Sequence, residues 1–312
     1  MAHEPLVSAV IPSYNGGPFV AEAVASACAQ TYPRMEIVFV DDGSTDDTYE
    51  RLRPYLGRIR YLRQENRGLS AARNAGIAAA QGQWIALLDS DDVWHAEKTS
   101  VQLKAAREHN ALLVGSRPTS LSPAPLPLQP AARVLGLSDF VVSAPIGPSG
   151  TIIHRGCFEK VGLFDETLRS IEDRDMWLRI ASEFVCLQVQ SPCWWYRVHQ
   201  GQMSRRAGRM FDNYRRVLDK FFATSPRHHA LRAMAYSYLY ADAAWAYFAE
   251  GDRRRAISYL LKSVCRYPGR LKGAGRPSSW SRSKELARYV FGRLPALQSL
   301  PEAHLVHLQG TE

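Results

Sequence analysis

The chain lacks any apolar run approaching the roughly 18–20 residues that span a bilayer. Its opening residues, MAHEPLVSAVIPSYN, lack the charged start and apolar stretch of a secretory signal. The expectation is a cytoplasmic protein. Cysteine is scarce: Cys28, Cys157, Cys186, Cys193 and Cys265 are the five in 312 residues. Their number is odd and their spacing wide, so neither a zinc knuckle nor a redox CxxC is present, and buried thiols are expected. No GxGxxG follows the first apolar segment, which excludes the usual dinucleotide fingerprint of a Rossmann oxidoreductase. The segment Ser13-Tyr14-Asn15-Gly16-Gly17-Pro18 carries no Arg or Lys. That counts against a sugar-1-phosphate nucleotidyltransferase, which needs cations there to activate a triphosphate.

What is present reads as folded and globular. Hydrophobic residues make up 46% and charged residues 22%. The length suffices for one large domain with an appendage, or for two modest domains. The net charge of +9 is unevenly placed: residues 204–312 hold 20 basic and 8 acidic residues, a balance of +12, and residues 1–203 balance at −3. A basic surface selects anionic partners such as lipid headgroups, nucleic acid or a lipid-diphosphate acceptor. Solvated helix faces account for the same count.

Along the chain, strands are expected at 6–12, 35–40, 58–62, 84–88 and 111–115. Helices are expected at 19–31, 45–56, 69–81 and 96–109. This alternation predicts an α/β fold with a mostly parallel sheet covered on both faces. Residues 118–130 hold five prolines and read as an irregular surface segment. A strand at 151–154, a turn at 161–165, a helix at 172–182 and two strands at 184–189 and 194–198 follow. From residue 210 the pattern is helical. Two amphipathic stretches, 230–249 and 253–267, join at Gly251 like one tetratricopeptide-type hairpin. The tail beyond Pro268 is basic and rich in Gly and Ser, and is expected to be loosely ordered until residues 285–293.

Two of the strands run straight into carboxylates: 35–40 into Asp41 and Asp42, and 84–88 into Asp89, Asp91 and Asp92. Ligands of open α/β sheets bind beyond the carboxyl ends of the strands. Three carboxylates within four residues repel one another and favour a divalent cation, which leaves room for phosphate oxygens. A DxD alone is weak evidence, because acidic triplets also cap helices, and Asp92 is placed to do so.

The surrounding residues carry more. VSAVIPSYN at 7–15, VDDGSTDDT at 40–48 and ENRGLSAARNAGIAAAQGQWIALLDSDD at 65–92 are followed by GTIIHRGCFEKVGLFDETLRSIEDRDMWLRI at 150–180 and YRVHQGQMS at 196–204. In this order and spacing the chain resembles the family 2 glycosyltransferases, inverting enzymes with the GT-A fold. The resemblance leaves out the Pro-rich segment and everything past about residue 209. It implies a GT-A domain at 1–209, with a donor half at about 1–116 and an acceptor half at about 117–209. A helical extension at 210–268 and a basic tail at 269–312 complete the expected plan.

The resemblance also implies roles. Asp42 is expected to hydrogen-bond the nucleotide base, which suits uracil or thymine and favours a UDP-linked sugar; its alternative role is turn chemistry with Gly43 and Ser44. Pro12, Tyr14 and Asn15 are expected to frame the same end of the donor, with Arg73 also at the donor site. Asp91 is expected to ligate Mn²⁺ or Mg²⁺, which neutralises the departing diphosphate, with Asp89 and Asp92 orienting the ribose and the metal shell. Asp173 is the expected general base, with Glu172 and Asp175 as weaker candidates. Their alternative role is to favour a helix N-terminus. His199 is expected at the metal or a phosphate oxygen, or else as a hydrogen-bonded strand-end residue. Trp194 and Trp195 are either core or stacked on a sugar ring.

The implied partners are a nucleotide-sugar donor and a glycan or lipid-linked acceptor, in assembly of a cell-envelope polysaccharide, with no specific nucleic acid. Peripheral docking at the inner membrane face is expected from the basic last third, where Trp280, Tyr289 and Phe291 are interspersed. The rival reading is a non-catalytic adaptor that binds membranes or polyanions through that third.

Overall fold

A computed structural model describes residues 4–119, 131–199, 207–269, 271 and 281–291. The chain divides into two units: residues 1–136 with 146–200, and residues 137–145 with 201–312. The expectations for residues 120–130, for the end of the closing motif at 200–204 and for Trp280 lie outside the described residues.

In the first unit, β1 (Val7–Ser13), β2 (Met35–Asp41), β3 (Arg60–Arg63) and β4 (Trp84–Leu87) pair in parallel in the order β3-β2-β1-β4. They are joined through α1 (Gly17–Cys28), the short α2 (Thr48–Leu52) and α3 (Leu69–Ala79). The second half of the sheet is mixed. β8 (Ile152–His154) runs antiparallel to both β4 and β6 (Leu113–Thr119), and β9 (Cys186–Trp195) runs parallel to β6. Two short strands, β5 (Val93–Trp94) and β7 (Ala132–Leu135), pair antiparallel with β9. The fold is GT-A-like, α/β with a curled sheet.

Alternation along the strands sends side chains to two faces. Val7, Ala9 and Ile11 of β1 meet Val20, Ala23, Val24 and Ala27 of α1 in one core, which also takes residues of α4 (Lys98–His109). On the other face α3 lies so close that a Cβ at Gly76 would sit 2.4 Å from Val10 Cγ1 and 3.2 Å from Val40 Cγ2. The small residues of this Ala-rich helix permit that approach. Two more helices, α6 (Arg155–Val161) and α7 (Glu172–Ala181), complete the unit.

The strands expected at 184–189 and 194–198 are one strand, β9. The polar run Gln188–Pro192 reads as a break, but β9 absorbs it through two register shifts opposite Ser116, Arg117 and Pro118 of β6. A bulge tolerates a proline that a regular ladder would not. The helix expected over 45–56 shortens to α2 followed by a 3₁₀ turn at Arg53–Tyr55, because Pro54 cannot donate to a continuing helix.

The second unit contains α5 (Leu137–Val142), α8 (Ala207–Thr224), α9 (Arg232–Ala249), α10 (Arg253–Arg266) and α11 (Arg282–Phe291). α9 and α10 meet around Gly251, whose φ of 89° lets the chain reverse. Tyr214 donates to the Val141 carbonyl at 2.9 Å and ties α8 to α5. Tyr289 is buried against Phe248, their ring centroids 4.4 Å apart. Tyr289 is therefore core, not the exposed aromatic expected for membrane contact. Among the described residues no helix is long and apolar enough to cross a membrane.

Candidate active site

The carboxyl ends of β1, β2 and β4 lie side by side, with β1 between the other two. The chain leaves β1 for a neighbour on one side and returns through β4 on the other, the arrangement that opens a crevice in α/β sheets. Every motif that the sequence singled out for the donor emerges from these three ends or from the start of α3.

The β1 and β2 ends are laced together. Asn15, at φ 52°, receives a hydrogen bond from Thr45 N at 2.8 Å and gives its own N–H to Ser44 Oγ at 2.9 Å. Asp41 accepts from Ser44 N at 2.7 Å and from the Tyr61 hydroxyl at 2.5 Å. Asp42 is buried and accepts from Gln64 Nε2 at 2.7 Å, Arg67 N at 3.0 Å and Gly68 N at 2.8 Å. It thus sits at the N-terminus of α3, where a carboxylate is favoured by unpaired amides. One acceptor position remains on Asp42 Oδ2. Tyr14 is 53% exposed, an open ring beside this lacing, whereas Pro12 lies within the buried strand.

Arg73 is 1% exposed. Its Nη2 reaches Asp89 Oδ1 at 2.6 Å and its Nη1 reaches Glu172 Oε1 at 2.5 Å, and the guanidinium lies 5.4 Å from the Phe164 ring centroid. Glu172 is consumed by this contact. Breaking a buried pair by removing one partner costs about 3–5 kcal/mol, so Arg73 fixes the loop after β4 to the start of α7. Asn74, the next residue, holds the turn before α7 through Phe164 N and O at 3.0 and 2.9 Å.

In the loop after β4, Asp92 faces inward, accepting from Ser149 Oγ at 2.5 Å and Arg197 N at 3.1 Å. It does not cap α4, whose first turn follows Glu97. Burial, Asp91 and Asp89 push its carboxyl well above the usual range. Asp91 and Asp89 remain partly exposed. Asp91 is also raised, by burial and by Asp89, with His199 opposing. His199 Nε2 lies 2.9 Å from Asp91 Oδ2, although 108 residues separate them. The pairing of β5 with β9 brings them together.

No set of three or more His, Cys, Asp or Glu side chains disposed around one metal position occurs among the described residues. A carboxylate and an imidazole in contact are a donor pair suited to a borderline cation such as Mn²⁺. Two protein ligands suffice where phosphate oxygens and water complete the shell. Three mutually repelling carboxylates supply the field that such an ion would neutralise. The residues fit a divalent metal.

Asp173 opens α7 beside Glu172. It is half-buried and accepts a hydrogen bond from Arg174 N at 2.8 Å. Burial first and Glu172 second push its carboxyl up to about 6, against Arg73 and Arg174. Asp175 is drawn away by Arg179 at 2.7 Å. Ile171, before Glu172, holds a left-handed φ of 63°, a conformation that costs a β-branched residue of order 1–3 kcal/mol. Trp194 is core, with Nε1 donating to the Ser116 carbonyl at 3.2 Å, and Trp195 lies 4.4 Å from the Arg197 guanidinium. Trp194 is therefore not an open sugar platform.

Sequence reasoning missed Ser149, which takes Asp89 N at 3.0 Å as well as serving Asp92, and the apposition of Phe19 and Glu22 to Arg197. No local pattern signals these residues.

With the geometry described, comparison with known proteins decides the family. The model described as glycosyl transferase family 2 matches residues 8–129, and that described as glycosyltransferase like family 2 matches residues 133–262. An uncharacterized glycosyltransferase of Rickettsia prowazekii is 31% identical over 225 residues, 68% of this chain and 70% of its own. The chain belongs to glycosyltransferase family 2. The putative teichuronic acid biosynthesis glycosyltransferase TuaG of Bacillus subtilis is 39% identical over 112 residues, 34% of this chain and 44% of its own. Among solved structures, the mannosyltransferase PcManGT from Pyrobaculum calidifontis, in complex with GDP-Man and Mn²⁺, matches with TM-score 0.64 at 18% identity, covering 99% of this chain and 87% of its own. S. aureus TarS in complex with UDP-GlcNAc matches with TM-score 0.63 at 18% identity, covering 84% and 82%. At that identity the structures speak for the shared fold of this glycosyltransferase.

One stability effect follows from the raised Asp173. An acid whose folded pKa rises from 3.8 to about 6 contributes stability that is complete below its ordinary pKa and is lost as pH rises through about 6. Asp173→Asn is therefore expected to raise Tm near pH 8, with the gain shrinking toward pH 4. A Tm at pH 8 no higher than that of the unaltered protein would show that Asp173 is not held in this environment.

Proposed function

We propose that this family 2 glycosyltransferase moves a sugar from a nucleotide-diphosphate donor, UDP-linked, to an acceptor hydroxyl with inversion at the anomeric carbon. The observation that carries the proposal is the Asp89–Arg73–Glu172 link, which joins the Asp91–His199 pair to the Asp173 carboxylate. Asp91 and His199 would hold Mn²⁺ or Mg²⁺, and the bound ion would supply neutralising charge at the diphosphate. Asp173, poised near neutrality, would take the acceptor proton as that oxygen attacks. One free carboxylate serves a single displacement, since Glu172 and Asp175 are both held by arginines.

Uridine is favoured by the remaining acceptor position on Asp42 and by exposed Tyr14, which offers a face for a base. The UDP-sugar of the TarS complex agrees with it; the GDP-sugar of the mannosyltransferase complex makes guanosine the competing base. The similarity to TuaG supports a cell-envelope glycan as the product. The basic C-terminal third supports peripheral docking on an anionic membrane face, where lipid-linked acceptors lie.

A thermal-shift panel of nucleotide diphosphates and nucleotide-sugars, with and without Mn²⁺, tests the donor site. A Tm rise with one nucleotide, dependent on metal, is expected, and it should be lost in Asp91→Asn but kept in Asp173→Asn, which binds donor without transferring it. No shift with any member would leave the non-catalytic adaptor as the reading of this chain. Sedimentation with anionic vesicles at low salt, reversed at high salt, is expected for the membrane proposal; protein that stays in the supernatant at low salt would contradict it.

A further inference from the structure

Within the closing motif at 196–204, one arginine joins the loop after β4 to α1. Arg197 follows β9, two residues before His199. Its backbone N–H donates to Asp92 Oδ1 at 3.1 Å, and its Nε–H donates to the Asp91 carbonyl at 3.0 Å. Its Nη2 pairs with Glu22 of α1. One side of the guanidinium is approached by the Phe19 ring, centroid 4.8 Å away, and another by the Trp195 ring, 4.4 Å away. Phe19 also lies against His199, with ring centroids 4.9 Å apart.

These contacts form one assembly. The chain after β9 must cross the loop after β4 for His199 to reach Asp91; Tyr196 N–H still bonds the Thr119 carbonyl at 2.9 Å, and the next residue turns toward that loop. Arg197 sets it twice, through its main chain to Asp92 and its side chain to the Asp91 carbonyl. The aromatic contacts and Glu22 then fix the guanidinium against α1, an element far from the loop in sequence. The Arg197 side chain is 17% exposed, so its charge is largely withdrawn from solvent and compensated in place.

We propose that Arg197 is a positioning residue for the metal pair: it fixes the spacing of His199 and Asp91, and Phe19 sets the plane of the His199 ring. Arginine suits the task because a planar guanidinium stacks on aromatic rings while donating in its own plane. Lysine keeps the charge but has no Nε–H for the Asp91 carbonyl and no plane to stack. Outer residues that orient metal ligands typically change metal affinity by about 10–100-fold when altered.

The inference rests on the metal reading of Asp91 and His199, and the experiment separates the two. Mn²⁺ alone is titrated into the full chain, with free Mn²⁺ read by electron paramagnetic resonance and Tm recorded in parallel. The variants are Arg197→Ala, Arg197→Lys, Phe19→Leu and Glu22→Gln. The unaltered protein is expected to bind Mn²⁺. Arg197→Ala and Arg197→Lys are expected to weaken binding about 10-fold or more, Phe19→Leu and Glu22→Gln to weaken it less, and all four to keep a cooperative melt. Failure of lysine to rescue distinguishes geometry from charge. Binding within threefold of the unaltered protein in Arg197→Ala would overturn the inference and leave the metal reading standing. An unaltered protein that takes up no Mn²⁺ would overturn both. Should Arg197→Ala fail to fold, Phe19→Leu decides: unchanged affinity there would overturn the role in setting the His199 ring.

Discussion

A single buried cation organises the site. Arg73 has almost no contact with water, and isolated burial of its charge would be prohibitive. Asp89 from the loop after β4 and Glu172 from the start of α7 make it tolerable, and neither carboxylate can leave without stranding it. Two segments of distant sequence are thereby held at fixed separation. What remains is a surplus of acidic groups: Asp91 and Asp92 beside Asp89, and Asp173 beside Glu172. Burial first, and neighbouring carboxylates second, raise all three carboxyls. Asp92 becomes an internal hydrogen-bond partner, Asp91 gains His199, and Asp173 is left with an elevated affinity for a proton.

The same constraint explains why the residues next to the motifs are small. α3 must come close enough to the sheet for Arg73 to pass beneath the loop after β4. Gly76 against Val10 and Val40, in an alanine-rich helix, permits that approach. Ile171 then accepts an unfavourable backbone conformation so that α7 begins with Glu172 turned toward Arg73 and Asp173 left available. That conformation is held in place by the buried Arg73–Glu172 pair and the partly exposed Arg73–Asp89 pair.

Much of the donor half was legible in the sequence because its signals are local. The apolar runs ending in Asp41-Asp42 and Asp89–Asp92 mark strands and their carboxylate-bearing ends together. The acceptor half was harder. β9 reads as two strands, since Pro192 and the polar residues around it resemble a turn, and only the register shifts against β6 make one strand of them. Asp91, His199 and Asp173 stand out in the sequence as residue types in context, but the buried contacts around them do not. The Arg73 links to Asp89 and Glu172, the Ser149 bond to Asp92 and the Arg197 contacts with Phe19 and Glu22 join residues far apart in sequence, and no periodicity reports such contacts. Asp42 and Asn15 illustrate the converse: the residues stand out by motif, and the structure engages both in holding the loops that surround the donor crevice.

The central claim is that one poised carboxylate, Asp173, acts as base in a single displacement, with no carboxylate nucleophile beside it. The stereochemistry of the product tests this most directly. From an α-linked nucleotide-sugar that stabilises the protein, the glycoside formed should show the anomeric proton coupling of a β-linkage by nuclear magnetic resonance. An α-linked product would require a double displacement or a different attack geometry, and would contradict the account.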